Sequence, residues 1–219
     1  MPSRGAPTGR DEDRVPLLIF PFNGNALEAL DCLGQRFRLV GFIDDTPAKR
    51  AAGSPHGPVL GREALARHPE AQVLAVPGSP TSYPSRGGVI ASLGIAPERF
   101  ATVVHPGAHV SPLATLGRNV LIMAGAVVTS NAVIGDHVCI LPNTVIHHDA
   151  RIGHLTLIGS NVTVAGGVAI GENCYVGSGT SLMNGLSIGA RTIVGLGSNV
   201  IRDCPPDSRI AGNPARPLR

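Results

Sequence analysis

The chain has 219 residues, a formal net charge of +3 and only 3% aromatic residues, with no tryptophan. This length accommodates one large or two small domains. The mild charge, without a Lys/Arg cluster, gives no reason to expect nucleic acid or an anionic membrane as a partner. No apolar run approaches the roughly 18 residues of a membrane-spanning helix, so no membrane partner is expected.

The four cysteines have neither CxxC nor metal-finger spacing, so we expect buried free thiols in a reducing cytoplasm. Residues 1–14 are rich in Pro, Gly, Arg and acidic residues and lack the apolar core of a signal peptide. They are expected to form a flexible tail. The predicted localisation is therefore cytoplasmic.

Residues 15–100 alternate short apolar runs with helical patterns. Strands are predicted at 17–20, 38–43 and 73–76, and helices at 25–33, 62–67 and 85–93. This alternation predicts an α/β domain with a small parallel βαβ sheet of the Rossmann-like kind. In such sheets ligands bind beyond the carboxyl ends of the strands.

The first loop at those ends, PFNGN at 21–25, contains Asn23, Gly24 and Asn25. Backbone amides near a helix start suit a phosphate. However, the loop lacks the GxGxxG pattern, and a plain turn between strand and helix explains it equally well.

The second loop places Asp44 beside Asp45, and the third has the sequence PGS at 77–79. Paired carboxylates accept hydrogen bonds from a ribose or a base, although aspartates also begin turns and cap helices. Both readings stay open at this stage.

From residue 101 to 204 a branched aliphatic residue returns at every sixth position. The series is Val104, Val110, Leu116, Ile122, Val128, Ile134, Ile140, Ile146, Ile152, Ile158, Val164, Ile170, Val176, Leu182, Ile188, Val194 and Val200. A period of six fits neither a helix nor a long strand, so the repeat is itself the structural unit. It predicts an all-β parallel β-helix, a three-sided prism with three hexads per coil.

Two smaller residue patterns accompany this series. Four residues after each aliphatic residue lies a second, mostly small residue that is expected to point inward. Glycine often follows the aliphatic residue directly, and it is expected to ease a sharp corner with positive φ. Prolines end the repeat, and residues 205–219 are expected to form a closing segment.

His148 and Asp149 form part of the densest polar cluster of the repeat. His148 is the third residue of the hexad that begins at Ile146, so it should point outward, and Ser130 and Gly166 lie one coil away. An imidazole beside a carboxylate is the minimal unit for removing a proton from an attacking amine or hydroxyl. Solvation or contact with another subunit explains an outward histidine as well.

A zinc-dependent hydratase or hydrolase is the rival hypothesis, because His137, His148 and His154 lie within a few hexads. Residues six apart fall on successive walls of a three-sided prism. His148 and His154 would therefore share an ion only across a subunit interface, and no metal is expected.

The hexads resemble the acyl-CoA-dependent hexapeptide transferases. A narrower likeness rests on GFIDD at 41–45, VIHHDARIG at 145–153, GLGSNVIRD at 195–203 and GNPA at 212–215. With the N-terminal βαβ domain, these motifs are similar to the bacterial family of sialic acid O-acetyltransferases and nucleotide-amino-sugar N-acetyltransferases.

That resemblance implies a left-handed β-helix and a homotrimer with active sites between neighbouring prisms. It further implies an acetyltransferase that acetylates an amine or hydroxyl of a nucleotide-linked sugar for surface polysaccharide. Acetyl-CoA would lie along the coils and the sugar nucleotide against the N-terminal domain.

The resemblance also assigns roles to particular residues. His148 falls on the catalytic histidine and Asp149 on its orienting acid. The nucleotide contacts fall on Asp44 and Asp45, with the loop of Gly78 nearby. The CoA contacts fall on Gly166, Gly195, Gly197 and Asn213.

Three positions depart from that family. Asn25 replaces a histidine of the first loop, Leu157 replaces a second histidine and Leu141 replaces an asparagine. These departures predict a different acceptor or weaker activity. They also keep open a non-catalytic scaffold that binds a sugar nucleotide.

Overall fold

The computed structural model describes residues 13–218, so most of the predicted tail lies outside the described residues. The first elements are β1 (Val15–Phe20), α1 (Gly24–Glu28), β2 (Phe37–Ile43), α2 (Pro47–Ala52), β3 (Val59–Leu60), α3 (Ala64–Arg67), β4 (Gln72–Ala75) and α4 (Arg86–Ala91), with 3-10 turns at Ala29–Cys32, Tyr83–Ser85 and Pro97–Arg99. The strands pair in parallel in the order β3, β2, β1, β4. The predicted parallel sheet is confirmed.

The sequence-based assignment missed α2 and β3. No residue of α2 is buried, so the helix carries no apolar stripe that a periodicity would reveal. β3 is only two residues long, which is too short to show the alternation of a strand.

The rest of the chain winds into a left-handed β-helix of two-residue strands. These are β5 (Val103–Val104), β6 (His109–Val110), β7 (Thr115–Leu116), β8 (Leu121–Ile122), β9 (Val127–Val128), β10 (Val133–Ile134), β11 (Cys139–Ile140), β12 (Val145–Ile146), β13 (Arg151–Ile152), β14 (Leu157–Ile158), β15 (Thr163–Val164), β16 (Ala169–Ile170), β17 (Tyr175–Val176), β18 (Ser181–Leu182), β19 (Ser187–Ile188), β20 (Ile193–Val194) and β21 (Asn199–Val200), followed by β22 (Arg209–Gly212) and β23 (Ala215–Pro217).

Each strand from β5 to β18 pairs in parallel with the strand 18 residues further on, which gives three walls. The first wall contains β5, β8, β11, β14, β17, β20 and β22, with β23 antiparallel at its end; the second contains β6, β9, β12, β15, β18 and β21; the third contains β7, β10, β13, β16 and β19. The aliphatic residue of each hexad is the second residue of its strand and faces the interior. Burial is complete from the second coil onward, and the first coil is half-exposed because no coil precedes it.

The corners differ from the prediction. We expected positive φ at the glycines that follow the aliphatic residues, and this is wrong. The left-handed residue comes two positions later, for example Asn119 with φ 54° and Asp149 with φ 60°. The glycines are needed for space, because the next coil lies against them: a Cβ on Gly135 would be 2.8 Å from the backbone N of His154.

This packing predicts a stability effect at Gly171. A Cβ there would lie 2.5 Å from the backbone N of Ala190, so Gly171→Ala should cost about 1–3 kcal/mol of unfolding free energy, measured by denaturant titration. Gly88→Ala is the matched control, since a Cβ on Gly88 in α4 meets no heavy atom within 4 Å. Equal stability of the two variants would contradict the packing argument.

The N-terminal unit covers the first wall. Outward residues of that wall are apolar and buried, among them Val103, Leu121, Cys139 and Leu157, and they share one core cluster with side chains of β1, β2 and β4. The predicted buried free thiols are confirmed: Cys32, Cys139, Cys174 and Cys204 are all buried and unpaired. Within residues 13–218 no helix has the length and apolar character needed to cross a membrane.

The corner between the third and first walls holds the N-terminal unit in place. We call its left-handed residues the docking column: Asn119, His137, Leu155, Asn173 and Arg191. Each touches the N-terminal unit, respectively at Ala75, Arg86, Gly87, Pro84 and Tyr83. Leucine is rare at φ 64°, so its presence here is explained by the contact it makes.

Candidate functional site

The second wall and its corner position the candidate catalytic pair. β12 ends at Ile146, whose side chain is fully buried, and His148 follows two residues later on the outside. Asp149 occupies the left-handed corner, a conformation that aspartate tolerates better than most residues. The two side chains are 62% and 57% exposed, so both are open to a ligand.

A network of hydrogen bonds fixes the imidazole. Nδ1 of His148 lies 2.8 Å from Oδ2 of Asp149, and Nδ2 of Asn131 donates to Oδ1 of the same carboxylate at 3.1 Å. The bond from His148, followed by that from Asn131, lowers the pKa of Asp149 below its ordinary value. Because an ionised carboxylate only accepts, Nδ1 of His148 carries the hydrogen and Nε2 is left as the basic nitrogen.

Gly166 forms the floor beneath the ring. A Cβ on Gly166 would lie 2.6 Å from Nε2 of His148, so the imidazole rests directly against the glycine. Backbone bonds fix this geometry from both neighbouring coils: Gly167 N donates to His148 O at 2.9 Å, and Asp149 N donates to Ser130 O at 3.0 Å.

Asn131 was missed by the sequence analysis. The 18-residue coil places it directly beneath Asp149, so the same arithmetic that pairs His148 with Gly166 would have found it. The signal was present but weak, because asparagine is common at these left-handed corners.

The geometry predicts the effect of replacing Asp149 by asparagine. Asp149→Asn keeps the size and tolerates the left-handed corner, but the amide no longer holds a charged acceptor against Nδ1. We expect kcat to fall by a factor on the order of 10 to 100, because no carboxylate orients the ring of His148 or stabilises its protonated form. Thermal stability should be unchanged. Steady-state kinetics would check this, and an unchanged kcat would contradict the orienting role.

Four of the six predicted substrate-binding residues line one cleft. Asn23, Gly24, Asn25 and Gly78 surround a cleft of about 480 Å³ at the carboxyl ends of β1 and β4. Asn23 also caps α1, because its Oδ1 accepts from Ala26 N at 2.9 Å.

A second cleft, of about 200 Å³, adjoins this cleft and extends to the first wall of the β-helix. Asn25 and Gly78 line both clefts. Its wall side is mainly apolar and includes Leu141, Leu157 and Tyr175. All three positions that depart from the family pattern, Asn25, Leu141 and Leu157, therefore line one space.

Asp44 does not line either cleft. Its side chain is buried and accepts from Phe22 N at 3.1 Å, Thr46 N at 2.9 Å and Lys49 Nζ at 2.9 Å. Burial, the largest single influence, would raise the pKa of Asp44, but the hydrogen bonds from Lys49 and Thr46 and the charge of Lys49 together outweigh it, so the pKa is lowered. Asp44 thus ties the first loop to the second.

Asp45 also lies outside both clefts. It forms a bidentate pair with Arg62, at 2.8 Å to Nε and 2.7 Å to Nη2. Arg62 in turn binds the backbone of Ser92 and lies over the ring of Phe20. Through Arg62, the second loop is fastened to the C-terminal end of α4.

The residues expected to contact CoA are spread over several parts of the β-helix. Gly166 lies at the corner between the second and third walls, whereas Gly197 lies at the corner between the first and second. A Cβ on Gly195 would lie 2.7 Å from that of Ala211, so close packing against β22 explains this glycine. Asn213 is exposed in the turn between β22 and β23.

The histidines of the rival zinc hypothesis do not converge. Nδ1 of His137 faces Nδ2 of Asn119 at 3.0 Å, and Nδ1 of His154 accepts from Asp136 N at 2.9 Å. In the described part of the chain, no three His, Cys, Asp or Glu side chains are grouped to hold a metal ion.

Comparisons with known proteins agree with this architecture. The family described as "Bacterial transferase hexapeptide (six repeats)" matches residues 113–148, 131–166 and 149–183. No curated protein matches the chain.

Several solved structures match nearly the whole chain. PerB from Caulobacter crescentus, in complex with CoA and GDP-perosamine, is 28% identical with a TM-score of 0.80, over 94% of this chain and 97% of PerB. The acetyltransferase domain of PglB from Neisseria gonorrhoeae, in complex with acetyl coenzyme A, is 25% identical with a TM-score of 0.81, over 94% of this chain and all (100%) of that domain. WeeI from Acinetobacter baumannii is 21% identical with a TM-score of 0.78, over 94% of this chain and all (100%) of WeeI, and shares the fold.

The repeat, the three-walled prism and these matches lead to one assignment. The chain carries the transferase hexapeptide repeat and resembles, over nearly its whole length, sugar N-acetyltransferases of the left-handed β-helix class.

Proposed function

We propose that this protein transfers the acetyl group of acetyl-CoA to the amine of a nucleotide-linked amino sugar, with His148 as the general base. One observation carries the proposal: the imidazole is held by Asp149 and seated on Gly166, with Nε2 as its free basic nitrogen. PerB, which binds CoA and GDP-perosamine, supports the choice of both substrates.

The chemistry follows from the geometry of the pair. The amine nitrogen attacks the thioester carbon, the C–N bond forms, and His148 Nε2 takes the amine proton. Asp149 stabilises the resulting imidazolium. The C–S bond then breaks, and the imidazolium returns its proton to the departing CoA sulfur. A backbone N–H near Gly166 would stabilise the oxyanion.

The acceptor is proposed to bind in the two connected clefts. In this division residues 15–100 are the substrate-binding domain, residues 101–204 the acyltransferase domain and residues 205–219 the closing segment. Asn23, Gly24, Asn25 and Gly78 would contact the acceptor directly. Asp44 and Asp45 would act by shaping the loops, since intramolecular donors already engage their carboxylates.

The position of His148 favours an active site shared between copies. The clefts open on the first wall, whereas His148 lies at the corner between the second and third walls. A homotrimer that sets this corner of one prism against the cleft of its neighbour would complete the site. Acetyl-CoA would then lie between two prisms, near Gly166 of one and Gly195, Gly197 and Asn213 of the other.

A complementation experiment tests this arrangement. His148→Asn removes the base, and Asn25→Trp fills the clefts, so each variant alone should be inactive. If the site is shared, trimers reassembled from a mixture of the two should recover part of the wild-type activity. Native mass spectrometry, which resolves the mass difference between the two variants, would establish that mixed trimers form, and mixed trimers without any activity would contradict a shared site.

The function itself is tested by thiol release from acetyl-CoA. The panel should contain GDP-perosamine, other amino-sugar nucleotides, their hydroxyl counterparts and free amino sugars. We expect release with at least one amino-sugar nucleotide and none with its hydroxyl counterpart. Release only with hydroxyl acceptors would indicate O-acetylation.

A non-catalytic scaffold is the second candidate, because apolar Leu141 and Leu157 line the cleft where polar groups were expected. Nucleotide binding without any thiol release, and without acetyl-CoA binding by calorimetry, would favour it.

A further inference from the structure

Asn119 joins the two units of the chain at the edge of the parallel sheet. β4 is an edge strand, so the outward N–H and C=O of its last residue, Ala75, have no strand to pair with. Asn119 replaces that strand: its Oδ1 accepts from Ala75 N at 2.7 Å, and its Nδ2 donates to Ala75 O at 2.8 Å. The side chain is only 1% exposed, and the cleft loop at 77–79 begins two residues after Ala75.

The second hydrogen of the Asn119 amide is directed at His137. Nδ2 lies 3.0 Å from Nδ1 of that ring. The Ala75 N–H must meet an oxygen, which fixes the orientation of the amide. Because an NH₂ group only donates, Nδ1 of His137 must accept. The contact therefore requires a neutral ring with its hydrogen on Nε2, and protonation would set two donors against each other.

The surroundings of His137 resist protonation. Burial, followed by the guanidinium of Arg86, lowers the pKa of His137; His154 acts in the same direction and Asp136 opposes it. Arg86 is itself buried, and it donates to Pro77 O at 2.8 Å and to the carbonyl of His137. The ring of Phe100 packs perpendicular to the ring of His137, with 5.1 Å between the two centroids, and covers this side of the site.

We infer that Asn119 and His137 are positioning residues for the acceptor, an inference that rests on the function proposed above. While His137 is neutral, the two residues hold the loop at 77–79 against the first wall. Protonation of His137 releases the loop. A histidine with a lowered pKa stabilises the folded contact above its ordinary value of about 6.5. This stabilisation is lost as the pH falls below the ordinary pKa and through the lowered pKa of His137 in the folded protein.

Hydrogen exchange on the protein without substrate tests whether Asn119 holds the loop at 77–79 in place. Asn119→Gly deletes the amide and suits the left-handed corner, where φ is 54°. Exchange of the peptide spanning 74–83 should quicken about tenfold in this variant at pH 7.5, since two buried hydrogen bonds are lost. Asn161→Gly, at another left-handed corner with φ 54° and an exposed side chain, is the matched control and should exchange like the wild type.

His137→Asn tests the role of the proton. Asparagine keeps an acceptor near the position of Nδ1, tolerates φ 62° and does not titrate. In the wild type, exchange of 74–83, corrected for its intrinsic pH dependence, should quicken between pH 7.5 and 5.5. In His137→Asn it should stay slow. Equal acid quickening in both proteins would overturn the role of His137.

Kinetics with the best acceptor of the panel give a second readout. Asn119→Gly should raise the acceptor KM about tenfold and change kcat less than twofold, as expected when binding alone is lost. A wild-type KM together with wild-type exchange would overturn the proposal, provided a thermal melt shows a folded variant. The proposed function and the role of Asn119 and His137 can fail independently. Absence of acetyl transfer would disprove the function, whereas the hydrogen-exchange result tests the two residues without any substrate.

Discussion

His148→Asn is expected to lower kcat by a factor on the order of 10² or more. The asparagine amide cannot take the proton of the attacking amine, whereas the exposed position leaves the fold intact. Steady-state thiol release would measure the loss of turnover.

His109→Asn is the matched control for this experiment. His109 is an exposed histidine on the same wall, at the opposite end from the closing segment, and takes no part in the proposed chemistry. We expect wild-type kcat for this control. Near-normal turnover in His148→Asn, with the control also normal, would remove the general-base mechanism.

Gly166→Ala should have the second-largest effect. The new methyl group would lie 2.6 Å from Nε2 and 2.7 Å from Cε1 of His148, so the ring must swing away. An exposed side chain moves at little cost, and the unfolding free energy should hardly change. Displacing the base by about 1 Å can reduce turnover about 10²-fold, so kcat should fall although the protein remains stable.

Gly88→Ala separates this steric effect from a general response to a methyl group. Its kcat should match the wild type and its melting temperature should not fall, since nothing lies within 4 Å of a Cβ there and alanine favours a helix more than glycine does. A Gly166→Ala variant with normal kcat would show that the ring position seen against Gly166 is not the catalytic one.

The β-helix was predictable because its repeat fixes each residue by arithmetic. Once three hexads make a coil, Gly166 must lie one coil from His148, and it does. The same arithmetic shows which wall is covered: Leu121, Cys139 and Leu157 recur every 18 residues as outward apolar residues.

The N-terminal loops were less predictable because their contacts do not repeat. Asp44 was expected at the nucleotide, but Lys49 and the amide of Phe22 engage its carboxylate, and these partners depend on how two loops fold together. The docking column was equally hidden. Asn119 and His137 look like ordinary corner residues until the sheet edge at Ala75 is placed beside them.

Incubation with isotopically labelled acetyl-CoA and an amino-sugar nucleotide, followed by mass spectrometry of the acceptor, tests the central claim most directly. The account predicts one labelled acetyl group in amide linkage to the sugar, with an equal amount of free CoA, and almost none with His148→Asn. An acceptor that stays unlabelled across the panel, or one labelled on a hydroxyl with its amine free, would contradict it.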